Sequence, residues 1–165
     1  MTIPSRKFVW ITRAAAGFAF VALMSTAFRT GWNQLSTDFP NYYTAAVLVR
    51  QEKPLRNFYD WTWFAKQMNY AGVEKQLGAY TPQTPLTVLP MIGLAGLPVQ
   101  QAKRIWLALN LVLLAASVYL LAQATGFTFE QIALLALCGF GSLAANFVTG
   151  QYYIFLLFLI TLTFY

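Results

Sequence analysis

The sequence predicts an all-α polytopic membrane protein, and three observations predict it. Of 165 residues, 58% are hydrophobic, with a mean hydropathy of +0.53. Only 10% are charged, against about 25% in soluble domains. Aromatic residues make up 17%, and Trp and Tyr collect where a bilayer meets water. Five apolar runs follow one another along the chain, at about 8–28, 80–98, 104–124, 131–148 and 152–165, with one polar stretch at 29–79.

The first run, "FVWITRAAAGFAFVALMSTAF", is long enough to cross a bilayer, which takes about 20 apolar residues. Arg6, Lys7 and Arg13 give it a basic N-terminal flank, and Arg13 can snorkel to the headgroups. A cleaved signal peptide would share the basic head. "MSTAF" is a poor cleavage site, however, so an uncleaved anchor fits better. The stretch 29–79 is too rich in aromatics for a solvated linker. Two helices fit it. One opens at Asp38, with Pro40 in the first turn, and ends before Pro54; the other opens at Asp60 and closes at Gly72. Both are expected to lie in the membrane interface with their aromatics toward lipid. The second span is short, contains Pro90 and is expected to kink there. The third is preceded by Lys103 and Arg104, and the fourth is weakened by Gly139, Gly141 and Asn146. The fifth stops at Tyr165 without a flanking charge, so the chain is expected to be a truncated, N-terminal piece of a longer one.

Basic residues in short loops favour the cytoplasmic side. With alternating spans, the N-terminal flank and the Lys103-Arg104 turn fall inside and 29–79 becomes an outer loop. That is the topology expected of a multi-pass protein of the plasma (inner) membrane with a cytoplasmic N-terminus. The net charge of +6 does not suggest nucleic acid, because the basic residues sit beside apolar runs. A single cysteine, Cys138, excludes an intrachain disulfide, and the lack of histidine disfavours the usual metal sites. No metal and no cofactor are expected.

Chemistry must therefore come from carboxylate, guanidinium and backbone groups. There is no nucleotide-binding glycine loop and no Ser/His/Asp set. Asp38, in "TDFPNYYTAA", is the first acid in the chain and lies some ten residues after the first span. Its ordinary role would be a helix cap, which is compatible with catalysis because a capping carboxylate is held rigidly. Asp60, in "FYDW", is the rival acid, again with a capping role at hand. Arg50 is one of several cations able to hold a phosphate. "NFVTGQYY" places Gln151 between two apolar runs, where polar groups need a cavity or a partner. On these residues alone, a lipid-carrier transporter or a non-enzymatic membrane subunit remains an alternative to an enzyme.

The blocks "TDFPNYYTAA", "FYDW", "AYTPQTPLTVLPMIGLAGLP", "AKRIWLALNLVLL" and "GQYYIFLL", in that order, resemble the N-terminal part of glycosyltransferase family 87. Two departures stand out. The family's Tyr-Pro-Pro is here Tyr80-Thr81-Pro82-Gln83-Thr84-Pro85, and the Gly-Gln is followed by Tyr-Tyr where the family often has Asn. The resemblance implies a GT-C-like helical bundle with interfacial helices in the first outer loop. It implies hexosyl or mannosyl transfer from a polyprenyl-phosphate sugar to a lipid or glycan acceptor at the cell envelope, with inversion. It makes Asp38 the catalytic base, and makes Tyr42, Tyr43, Arg50, Asp60, Tyr80 and Gln151 the candidate substrate-binding residues.

Overall fold

The computed structural model describes residues 6–35, 38–74, 78–80 and 83–165. Among these residues every regular element is helical. The chain divides into two compact units. The first holds the residues up to Thr30, Ala108–Val148 and Tyr152–Tyr165; the second holds Gly31–Leu107 and Thr149–Gln151.

Helix α1 (Arg6–Leu23) runs through a π-helical turn, Met24–Phe28, into α2 (Arg29–Asn33). Ser25, Thr26 and Thr30 all bond back to carbonyls three or four residues earlier, which loosens the regular ladder at this point. Together these pieces make one apolar helix, Lys7–Asn33. Its 27 residues span about 40 Å at 1.5 Å per residue, more than a bilayer core. The other single helix of sufficient length and apolarity is α5 (Val99–Thr125).

In the first unit, α6 (Phe129–Cys138) opens on a capping box: Thr128 and Gln131 satisfy each other's backbone amides. It packs on α1, where Arg13 Nε donates to Glu130 Oε1 at 2.8 Å. Val118, Ala122 and Ile132 form a small core. The apolar run 131–148 is not one straight helix. α6 and α7 (Phe140–Thr149) meet at 76°, with the break at Gly139, so the pair forms a broken span or a re-entrant loop. A glycine without a side chain to pack is where a helix most readily breaks. Phe28 and Phe147 make an edge-to-face contact at 5.6 Å. The short α8 (Tyr153–Thr163) follows.

The second unit is built round α3 (Asp38–Arg50). Phe39 and every residue from Pro40 to Ala46 are buried. The expected interfacial helix with aromatics toward lipid is therefore not found here: from Phe39 to Ala46, α3 is enclosed on all faces. A helix that is covered all round belongs to a core. It packs against a 3₁₀ segment, Pro85–Leu94, and Tyr43 Oη donates to the Leu97 carbonyl at 2.7 Å. That 3₁₀ segment lies in the run 80–98, where the sequence suggests a second span. It has ten residues, short of the ~20 that a crossing needs. Pro85 and Pro90 lack amide hydrogens and disfavour a regular α-helix, so the expected kink is replaced by a change of helix type.

By contrast α4 (Trp61–Tyr70) is amphipathic, burying Phe64 and Met68 and exposing Trp61 and Tyr70. Its inner face meets a cluster of rings in which Tyr80 lies 5.6 Å from Phe58 and 5.8 Å from Phe64. The turns of the second unit also revise the topology. Lys103 Nζ donates to the Gln34 carbonyl at 2.6 Å, and Arg104 Nε to the Trp32 carbonyl at 3.2 Å. Groups that close cannot face opposite sides of a hydrocarbon layer about 30 Å thick. Lys103 and Arg104 thus share an end with the start of 29–79; the alternating-span topology had set them apart.

Candidate active site

Asp38 is the first residue of α3 and is half-buried. Its Oδ2 accepts a hydrogen bond from Gln151 Nε2 at 2.8 Å, across 113 residues of sequence. Among the described residues this is the one hydrogen bond its carboxylate makes, which leaves Oδ1 open to a proton.

Three features bring Gln151 there. Gly150 has φ +73°, a left-handed conformation that costs a glycine little and ends α7. Close approach also demands glycine: a Cβ on residue 150 would stand 2.7 Å from Phe39 Cβ. Finally, the buried indole of Trp106 donates from Nε1 to both the Gly150 carbonyl, at 3.0 Å, and the Gln151 carbonyl, at 3.3 Å. Residues 38 and 39 of one helix thus meet residues 151 and 150 of the turn in register.

The segment leading into Asp38 is held from its other side. α2 ends at Asn33, and its last carbonyls meet donors from the first turns of α5. Gln100 Nε2 reaches the Trp32 carbonyl at 2.7 Å, alongside the Lys103 and Arg104 bonds. Arg104 also lies 5.7 Å from the centre of the Trp32 ring. Cations at a helix C-terminus satisfy its unpaired carbonyls and oppose its dipole. This accounts for Lys103, which is fully buried yet hydrogen-bonded.

The other candidate residues are distributed unevenly. Tyr42 is buried one turn after Asp38 on the same helix. Tyr43 is committed to Leu97 and stacks on Phe39 at 6.2 Å, and burial raises its phenol above the usual 10.0. Arg50 ends the helix, about 18 Å from Asp38 at 1.5 Å per residue. Its guanidinium lies over Gly96, where a Cβ would come 2.6 Å from Nη1. Asp60 caps α4, accepting from the Trp63 amide at 3.0 Å. Tyr80 is enclosed by rings and hydrogen-bonded to the Thr84 carbonyl and the Thr87 hydroxyl. Of these candidates, and among the described residues, only Gln151 is joined to Asp38 by a hydrogen bond.

Trp106, Lys103 and Gln100 are the residues that sequence reasoning passed over. Trp106 stands in the quoted block "AKRIWLALN" without a role, and Lys103 reads there as a topology signal. Separately, the first unit holds an apolar cavity of about 440 Å³, lined by residues such as Gly17, Phe20 and Leu114, with Arg13 and Glu130 also on its wall. None of the candidate residues lines it.

The model of glycosyltransferase family 87 matches residues 79–165, just over half of the chain. No curated protein and no solved structure matches it. The matched region contains Tyr80, Trp106, Gly150 and Gln151; Asp38 precedes it.

Proposed function

Since the chain belongs to glycosyltransferase family 87, we propose that it moves a hexosyl group, mannosyl in type, from a polyprenyl-phosphate donor to an acceptor hydroxyl, with Asp38 as the general base. The observation that carries this reading is the Gln151–Asp38 hydrogen bond. It ties an acid lying outside the matched region to a glutamine inside it.

The chemistry is a single displacement. The acceptor oxygen attacks the anomeric carbon as its proton passes to Asp38 Oδ1. The bond from that carbon to the phosphate oxygen breaks on the opposite face, and the polyprenyl phosphate leaves with the electron pair. The configuration inverts. Negative charge grows on the departing phosphate, so a cation placed there acts in the transition state. Arg104 is suited to this: its Nε is held by Trp32, and its outer guanidinium nitrogens can meet two phosphate oxygens. The fold in this reading is of the GT-C type, in a multi-pass protein of the inner membrane. The basic flank around Lys7 and Arg13 supports a cytoplasmic N-terminus, with Asp38 at the outer face.

Asp38→Asn tests the reading, because asparagine keeps the size and can still accept from Gln151. General-base assistance contributes about 10²–10⁴-fold, or roughly 3–5.5 kcal/mol. Turnover of polyprenyl-phosphate mannose by the full-length enzyme is expected to fall by at least a hundredfold. A folded, inserted variant that keeps more than about a tenth of the activity would remove Asp38 from the role.

A further inference from the structure

Resting on Asp38 as the base, we infer that Gln151 and Trp106 are positioning residues for its carboxylate. One N–H of the Gln151 side-chain amide is directed at Asp38 Oδ2 at 2.8 Å; the second N–H and Oε1 remain able to meet other groups. An amide donor on one carboxylate oxygen fixes the rotation of the group and selects Oδ1 to receive the proton.

That function requires the glutamine itself to be immobile, and two independent contacts make it so. The indole N–H of Trp106 is shared by two consecutive carbonyls, Gly150 and Gln151, which fixes the intervening peptide plane. Phe39 presses on Gly150 from the other side, closely enough to exclude any side chain there. Because Phe39 is next to Asp38 in α3, a shift of the turn would move Gln151 relative to the acid. Trp106 therefore acts on Asp38 through Gln151 without touching it. A base misplaced by about 1 Å can cost on the order of 10²-fold, so the effect of losing this support is sizeable.

The chain contains two aspartates, Asp38 and Asp60. Labelling with aspartate carrying ¹³C at the side-chain carboxyl reports on both, each identified as the signal lost in Asp38→Asn or in Asp60→Asn. In the full-length protein Gln151→Leu is expected to shift the Asp38 resonance and leave that of Asp60 in place, which doubles as a check on folding. Trp106→Phe keeps a ring but removes the donor, and should shift the same resonance by less. The double variant should go no further than Gln151→Leu alone. If Gln151→Leu folds poorly, Gln151→Asn, one methylene too short, replaces it. With polyprenyl-phosphate mannose as donor, kcat should fall about tenfold to a hundredfold with the donor KM within about twofold. An Asp38 resonance unmoved in Gln151→Leu, or a raised KM at unchanged kcat, overturns the inference. If Asp38→Asn is inactive while the resonance does not move, the base stands and the positioning fails. If Asp38→Asn is active while the resonance moves in Gln151→Leu, the reverse holds: the carboxylate is held by Gln151 but is not the base.

Discussion

Two stretches of the second unit begin alike and end differently. Helices α3 and α4 each open at an aspartate set among aromatic residues, in "TDFPNYY" and "YDWTW". Asp60 is exposed and satisfied within its own helix, by the Trp63 amide three residues on. Asp38 is half-buried and satisfied from Gln151, 113 residues away. The helices follow suit: α4 covers one face and shows Trp61 and Tyr70, whereas α3 is buried on every face from Phe39 to Ala46. A local cap needs nothing from the rest of the chain and stabilises one helix. A carboxylate that waits for a distant donor is built by the fold, and its position is only as good as that fold. The second kind is the better candidate for chemistry, because its geometry does not depend on helix formation alone.

The comparison can be broken at three scales. The largest effect is all-or-none. Lys53 is exposed just beyond the end of α3, and Gln101 is exposed beside the Lys103–Gln34 contact. In a Cys138→Ala background, Lys53→Cys and Gln101→Cys should react with an impermeant thiol reagent from the same side of the membrane. Reaction of one of them only after permeabilisation would restore the alternating-span topology.

Next comes Asp60. Against the hundredfold or greater loss expected of Asp38→Asn, Asp60→Asn should keep turnover within about threefold of wild type, since asparagine caps nearly as well. Asp60→Ala should cost about 1 kcal/mol of stability, read from thermal unfolding in detergent. Comparable activity losses at both aspartates would erase the distinction between them.

The smallest effect belongs to Tyr43, the other anchor of α3. Tyr43→Phe deletes the bond to the Leu97 carbonyl and should cost about 0.5–1.5 kcal/mol at neutral pH. The pH dependence has a definite sign. Burial raises the phenol above 10.0, so above that pH the unfolded chain gives up the Tyr43 proton while the folded protein keeps it. Stability from this group is complete below pH 10.0 and is lost as the pH rises through the higher folded value. In Tyr43→Phe that part of the alkaline decline should vanish. An alkaline decline identical to that of wild type would mean that the phenol is not held as described.

Much of the helical framework could be read along the chain. The apolar run at 8–28 marks the helix Lys7–Asn33, and α4 with its Asp60 cap follows from a turn residue placed before an amphipathic stretch. These are short-range effects: hydrophobic length, capping and the absence of competing signals. The run at 80–98 was misleading because its hydropathy suits a membrane, while two prolines and packing on α3 make it a 3₁₀ segment of a core. The burial of α3 was equally hidden, since an aromatic helix that faces lipid and one that faces protein have the same composition.

Of the site, Asp38 and Gln151 were separately visible as polar residues flanked by apolar ones, and the resemblance to a family gave both a place. Composition and order determined an all-helical membrane chain and a short inventory of possible acids. Only the tertiary structure decided that Gln151 donates to Asp38, that Trp106 secures the turn and that Lys103 lies at the near end of α5. The reason is physical. A helix or a cap is determined by residues within a turn or two, whereas a hydrogen bond across 113 residues depends on how every intervening element packs.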